Sequence, residues 1–286
     1  MSRISYVNGK YLPHRDAFVH VDDRGYQFAD GVYEVLPVFA GHIINMEKHF
    51  ERLTRSLGEL RIEWPVTPRV LQAILGQMLQ RNQITDGGMI YLQITRGVAP
   101  RAHAFPVGAL KPSIVITARR VDMASRAAQA AIGVRVISVP DNRWARRDIK
   151  SVSLLPNILA KQQATEAGGY EALFVTEDGI VTECASSTFW IVNGERVLLT
   201  HPLGHDILPG VTRRTLLEIA QKIGVKLEER KFTLNDAMAA REAFLTSATT
   251  FVMPVTQIDS KSIGNGSPGP VSLELRAAYI NKIQLL

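Results

Sequence analysis

Residues 147–151 read Arg147-Asp148-Ile149-Lys150-Ser151. The stretch stands between a strand-like run, Val134 to Val139, and a helical pattern, Leu155 to Ala167, that Gly168-Gly169 ends. A lysine at a junction of this kind can be a covalent nucleophile once burial lowers its pKa and frees the amine. The competing reading is a loop lysine in water. The segments on either side have to choose between the two.

Toward the C-terminus two hairpins follow. Ala172 to Thr176 and Val181 to Glu183 flank Asp178-Gly179, and Phe189 to Val192 and Val197 to Leu199 flank Asn193-Gly194. A helix is expected from about Thr212, carrying Leu216, Leu217, Ile219 and Ala220 up to Gly224. Val225 to Leu227 and Ala243 to Thr246 read as strands, and Ser272 to Ile283 as a closing helix. Toward the N-terminus, Ile4 to Val7 and Lys10 to Leu12 flank Asn8-Gly9, a pair suited to a type I′ turn. Val32 to Phe39 is apolar enough for a buried strand, and Ala40-Gly41 turns it into His42 to Ile44. From Met46 the period changes, with Phe50, Leu53, Leu57 and Leu60 on one helical face. Thr67-Pro68 reads as N-cap and first helical residue of a helix to about Asn82. Met89 to Thr95 and Ser113 to Ala118 complete the strands of this half. The pattern predicts a mixed α/β chain of two domains, residues 1–120 and 132–286, joined by a linker over 121–131 where small and polar residues dominate.

A length of 286 residues agrees with two domains at about 150 residues each. Apolar residues make up 46% and charged residues 21%, which excludes wholesale disorder and leaves enough apolar surface for a core. The net charge of +6 is dispersed, with its densest patch at Arg143, Arg146 and Arg147. It suits anionic small molecules better than a nucleic acid, for which aromatic–basic interleaving is missing. The single cysteine, Cys184, permits no internal disulfide, and no run of about 18 apolar residues is present to span a membrane. The expectation is a cytoplasmic protein with neither membrane nor nucleic acid as partner.

Dinucleotide, P-loop and zinc-protease motifs are absent, and no metal-ligand spacing is found. What remains is Lys150, the carboxylate of Glu183 beside small and hydroxyl residues, Gly210-Val211-Thr212 opening a helix, and Ser247-Ala248-Thr249 after a strand. Helix-start N–H groups and hydroxyls suit a phosphate. Taken singly, each has a plainer reading as a surface charge or a cap. Together they match the needs of pyridoxal 5′-phosphate: a lysine, a carboxylate for the ring nitrogen and a phosphate cup.

Several stretches carry a resemblance. They are Asp23-Arg24-Gly25-Tyr26-Gln27-Phe28, Asp30-Gly31-Val32-Tyr33-Glu34-Val35, Thr95-Arg96-Gly97 running into Pro100-Arg101-Ala102-His103, Asp148-Ile149-Lys150-Ser151, Leu159-Ala160-Lys161-Gln162, Thr182-Glu183 and Gly210-Val211-Thr212-Arg213. The chain resembles the fold-type IV (class IV) pyridoxal-phosphate aminotransferases, and among them the bacterial D-amino-acid aminotransferases. The resemblance implies a smaller N-terminal α/β domain and a larger C-terminal pseudo-barrel domain that binds the cofactor. It implies transamination of D-amino acids of the D-alanine or D-glutamate type with 2-oxo acids such as 2-oxoglutarate or pyruvate, in a homodimer.

The implied roles follow the matching positions. Lys150 is the lysine that bonds the cofactor and later moves the proton, and Glu183 faces the ring nitrogen. Arg52, Val211, Thr212 and Thr249 hold the phosphate. Tyr33, Arg101 and His103 trap the substrate α-carboxylate. Two departures stand out: Thr188 occupies a position usually held by Asn, and Cys184-Ala185 replace small hydroxyl or glycine residues. Branched-chain L-amino-acid and (R)-amine aminotransferases and aminodeoxychorismate lyases are alternatives within the same fold, and a basic nucleic-acid-binding module is the alternative outside it.

Overall fold

The computed structural model describes residues 3–285. The chain forms two compact units. The first runs to Asp122 and takes back Ile149–Ser153; the second comprises Met123–Asp148 and the chain from Leu154 onward.

In the first unit, β1 (Ile4–Val7) and β2 (Lys10–Pro13) pair across Asn8-Gly9, whose φ angles of 46° and 96° are those a type I′ turn demands. A short helix α1 (Arg24–Phe28) precedes β3 (Gly31–Phe39) and β4 (His42–Ile43). Helices α2 (Met46–Glu59) and α3 (Pro68–Arg81) follow, then β5 (Gly88–Thr95) and β6 (Ser113–Arg120). The six strands make one antiparallel sheet in the order β2-β1-β6-β5-β3-β4. Leu53 and Leu57 of α2, with Leu71, Leu75 and Met78 of α3, close over Leu36, Leu92 and Ile116 of the sheet. Each such side chain contributes about 1.5–3 kcal/mol by leaving water. The Thr67 hydroxyl accepts from the Val70 N–H and caps α3 as its sequence predicts.

The second unit opens with a helix, α4 (Met123–Ile132), followed by β7 (Val134–Pro140) and α5 (Leu155–Glu166). Next come β8 (Glu171–Val175), β9 (Val181–Cys184), β10 (Thr188–Val192) and β11 (Leu198–Thr200). Then α6 (Val211–Lys222), β12 (Leu227–Glu229), α7 (Leu234–Met238) and β13 (Glu242–Ser247) lead to β14 (Phe251–Ile258), β15 (Lys261–Ser262) and α8 (Pro270–Gln284). Their strands form a mixed nine-stranded sheet, β12-β11-β10-β13-β14-β7-β8-β9, with β15 paired to β14. Val181 of β9 and Ile191 and Leu199 of β10 and β11 belong to one buried cluster although they lie toward opposite ends of that order. The sheet is therefore curled into a half-barrel around its own core.

Three expectations change. The stretch expected to be a linker, 121–131, is mostly α4, and Ile149–Ser153 pairs with the first unit. Val32 and Ser151 form a bridge, and the Tyr33 N–H donates to the Lys150 carbonyl at 3.0 Å. The Asn193-Gly194 turn places its left-handed residue at Arg196 (φ 62°), because the Asn193 side chain accepts the Glu195 and Val197 N–H groups and lengthens the turn.

Candidate active site

In the first unit the fold sets Lys150 beside Tyr33. The Lys150 N–H donates to Ser56 Oγ on α2 at 3.2 Å, and its carbonyl accepts from Tyr33 on β3. These two bonds fix the backbone and leave the side chain to its surroundings. Lys150 Nζ lies 4.1 Å from the centre of the Tyr33 ring, which stacks on Tyr91 at 5.7 Å. No carboxylate pairs with Lys150 among the described residues.

Next to Tyr33 in sequence, Glu34 points to the other face of β3 and is 1% exposed. It receives Arg52 through both oxygens, at 2.8 and 2.7 Å, and the His49 ring at 2.7 Å. Burial alone would raise the Glu34 carboxyl; Arg52 and His49 overcome it and hold the group at about 2. Burial pushes His49 below the ordinary histidine range, against the pull of Glu34 and with help from the charges of Arg52 and Lys150. Arg52 is thus a fixed cation on α2 with an ionised partner.

A pH dependence follows. A carboxyl held below its unfolded value of 4.5 stabilises the fold fully above that value. That contribution should drain away as pH falls from about 4.5 toward 2. Thermal unfolding of the wild type should show this acid loss, and Glu34→Gln should flatten the profile in that window. An equally steep profile in the variant would place the titrating group elsewhere.

The loop after β5 carries Arg101 and His103, both exposed. The Phe28 ring lies 5.0 Å from the Arg101 guanidinium carbon and 5.6 Å from the His103 ring.

In the second unit Glu183 ends in a different environment, 6% exposed on β9. Arg143 Nη1 donates to it, and the Leu208 N–H donates to both its oxygens at 3.3 and 3.2 Å. Burial raises the Glu183 carboxyl, and the Arg143 charge and the Leu208 N–H offset that only in part. Arg143 is itself shared with Asp141 at 2.9 and 2.8 Å, and lies 4.2 Å above the Phe174 ring. By sequence Arg143, Arg146 and Arg147 form a solvated basic patch. In the structure Arg143 is buried, Arg146 is paired with Asp148, and Arg147 is paired with Asp141 and Asp206.

Val211 and Thr212 are the first residues of α6, both buried, and no side chain caps that helix at Gly210. A Cβ at Gly210 would stand 3.0 Å from Thr188 Oγ1, so the hydroxyl of β10 closes on the helix start and needs the glycine. The neighbouring Ser187 Oγ is buried without a hydrogen-bond partner among the described residues. Thr249 lies half-buried in the turn between β13 and β14, where Ser247 and Thr250 share a hydrogen bond of 2.7 Å.

Residues 31–258 match the family model for amino-transferase class IV. The chain belongs to the class IV aminotransferases. The D-alanine aminotransferase of Bacillus licheniformis is 39% identical to this aminotransferase over 96% of the chain and 95% of the relative. That of Listeria innocua is 37% identical over 97% and 95%. Among solved structures, the Escherichia coli branched-chain amino acid aminotransferase superposes with a TM-score of 0.90 at 22% identity, covering 98% of this chain and 94% of that one. A T.th. branched-chain amino acid aminotransferase with pyridoxamine 5′-phosphate gives 0.88 at 25% identity, with the same coverage of each chain.

Enzymes of this class use pyridoxal 5′-phosphate, and the residues here fit it. Lys150 offers an amine with no carboxylate partner among the described residues, Glu183 a buried carboxylate, and α6 a start that no side chain caps, met at Gly210 by the Thr188 hydroxyl. No group of His, Cys, Asp or Glu among the described residues is placed to hold a metal, and no described helix is long and apolar enough to cross a membrane.

Proposed function

We propose that this aminotransferase moves the amino group of a D-amino acid, of the D-alanine or D-glutamate type, to a 2-oxo acid such as 2-oxoglutarate or pyruvate, in two half-reactions. The observation that carries the reading is the placement of Lys150 Nζ over the Tyr33 ring at 4.1 Å. A phenol able to bind a carboxylate then stands next to the amine that moves the proton. The relatives named D-alanine aminotransferase support the same substrate class.

Bound pyridoxal 5′-phosphate supplies an aldehyde for the amino group and a ring that withdraws electrons from Cα. Lys150 would hold the cofactor, and its free amine would take the Cα proton and return it. Glu183, oriented by Arg143, would supply negative charge for the cofactor's ring nitrogen. Arg52, oriented by Glu34 and His49 in the first unit, would serve the phosphate, and so would the N–H groups of Val211 and Thr212 and the hydroxyl of Thr249 in the second. Arg101, His103 and Tyr33 grip the α-carboxylate, arginine serving best because its fork matches two oxygens. Fixing the carboxylate fixes which Cα substituent faces Lys150, and hence the D preference.

Replacing Arg101 by Ala should therefore weaken D-alanine far more than a carboxylate-free (R)-amine, by about 10–100-fold in kcat/KM. Steady-state kinetics on both substrates checks it, and an equal loss for both would put the carboxylate grip elsewhere.

We read the working form as a cytoplasmic homodimer. Phe18, Val19, Val21 and Tyr26 expose 47–76% of their surface within nine positions of the first unit, an apolar area suited to a second copy. Light scattering on the holoenzyme that gave the mass of one chain would contradict this reading.

A further inference from the structure

Between Thr95 and Ser113 the chain has no helix or ladder strand, only a lone bridge from Val98 to Asp23. A loop of this length loses much conformational freedom when ordered, so its shape has to be held from outside. Its tip carries Arg101 and His103. Beneath the tip lies Arg24, the first residue of α1, which is 2% exposed. Arg24 Nη1 donates to the Ala102 carbonyl at 2.6 Å and Nη2 to the His103 carbonyl at 3.4 Å. Its Nε donates to Asp30 at 2.8 Å, which balances the buried charge. The guanidinium carbon lies 4.8 Å from the centre of Phe28, the same ring that Arg101 and His103 approach.

We propose that Arg24 is a positioning residue for the substrate carboxylate: it clamps the two carbonyls beside Arg101 and His103 and, with Phe28, sets the direction of both side chains. The proposal rests on the reading of Arg101 and His103 as the carboxylate grip. The Nε, Nη1 and Nη2 atoms of Arg24 each reach Asp30 or a loop carbonyl, so its bonds go to the frame that carries Arg101 and His103. Lysine cannot replace it, because a single ammonium cannot span Asp30 and two successive carbonyls in one plane.

A second clamp makes the effect of Arg24 separable from unfolding. Arg96 also binds Asp30, at 2.7 and 3.0 Å, donates to the Leu60 and Arg61 carbonyls at 2.7 and 3.1 Å, and lies 3.6 Å above the Phe105 ring. Without Arg24, Asp30 keeps an arginine and the far side of the loop stays attached. The tip is displaced and the sheet is left intact.

The test is a double-mutant cycle on the holoenzyme with D-alanine as donor. Arg24→Lys should raise KM about 10–100-fold with kcat within about threefold, the scale of a displacement near 1 Å in a binding group. In an Arg101→Ala background the same change should add little, because the grip it positions is gone. Hydrogen exchange should rise in residues 97–107 and stay constant in β3 and β5. If Arg24→Lys does not fold, Phe28→Leu should reproduce the KM rise by removing the shared ring. Additive effects, an unchanged KM, or unchanged exchange in the loop each overturn the role of Arg24. An Arg101→Ala variant with normal KM overturns the carboxylate grip itself, and so separates that failure from the failure of the clamp.

Discussion

Lys150→Ala should bring turnover below detection, a loss of at least about 10⁴-fold, and should remove the visible absorbance band of lysine-bound cofactor. On the proposed roles two functions are lost at once, the covalent attachment and the base that moves the Cα proton. The fold should survive, because the structural bonds of this residue are made by its backbone, to Ser56 Oγ and from Tyr33 N–H, and alanine keeps both. The side chain has no carboxylate partner among the described residues whose charge would be orphaned. Absorbance spectra and thermal unfolding on the same preparation read out the two halves of the statement. A variant that retained the band and normal rates would remove Lys150 from the chemistry.

Glu183→Gln should keep the cofactor bound and slow the half-reaction with D-alanine by about 10²–10³-fold, the scale of one preorganised charge at a developing centre. The amide has the shape of the carboxylate and can still accept from the Leu208 N–H. It lacks the charge that balances a protonated ring nitrogen. Arg143 would retain Asp141, so the cluster loses one anion of two and does not collapse. Stopped-flow absorbance with D-alanine alone isolates this step from the second half-reaction. An unchanged rate would mean that Glu183 has a packing role only.

Much of this arrangement is legible along the chain. Asn8-Gly9 and the apolar alternation around it specify a hairpin, and Thr67-Pro68 specifies a helix start, because both signals are local. Lys150 and Glu183 fall at the edges of recognisable elements, yet each read alone is a plain surface charge; only their combination with a phosphate cup points to a cofactor. The buried arginines are not. Arg143 meets Glu183 across 40 positions and Arg24 meets Ala102 across 78, and nothing local to an arginine reveals which distant group will face it. Helix α4 is hidden for another reason: it buries only Ala130, so it shows no apolar stripe and reads as a linker. Strand β14 is masked by Pro254, which would break a central ladder. It is tolerated because the pairing of β7 with β14 begins only at Val255, leaving no partner on that side for the missing N–H.

The return of Ile149–Ser153 to the first unit is the least legible feature and the one with most consequence. A sequence reading puts Lys150 in the second half of the chain. The bridge from Ser151 to Val32 and the Tyr33–Lys150 bond make it part of the sheet that carries Tyr33 and Glu34. The amine, the phenol and the Arg52 partner are thereby set by one rigid framework.

Substrate handedness tests the central claim most directly. The purified holoenzyme is supplied with 2-oxoglutarate and, in parallel, with D-alanine, L-alanine or L-leucine, and the keto-acid product is followed. The account predicts pyruvate from D-alanine, with kcat/KM at least about 100-fold above either L-substrate. Efficient turnover of L-leucine with none of D-alanine would contradict it.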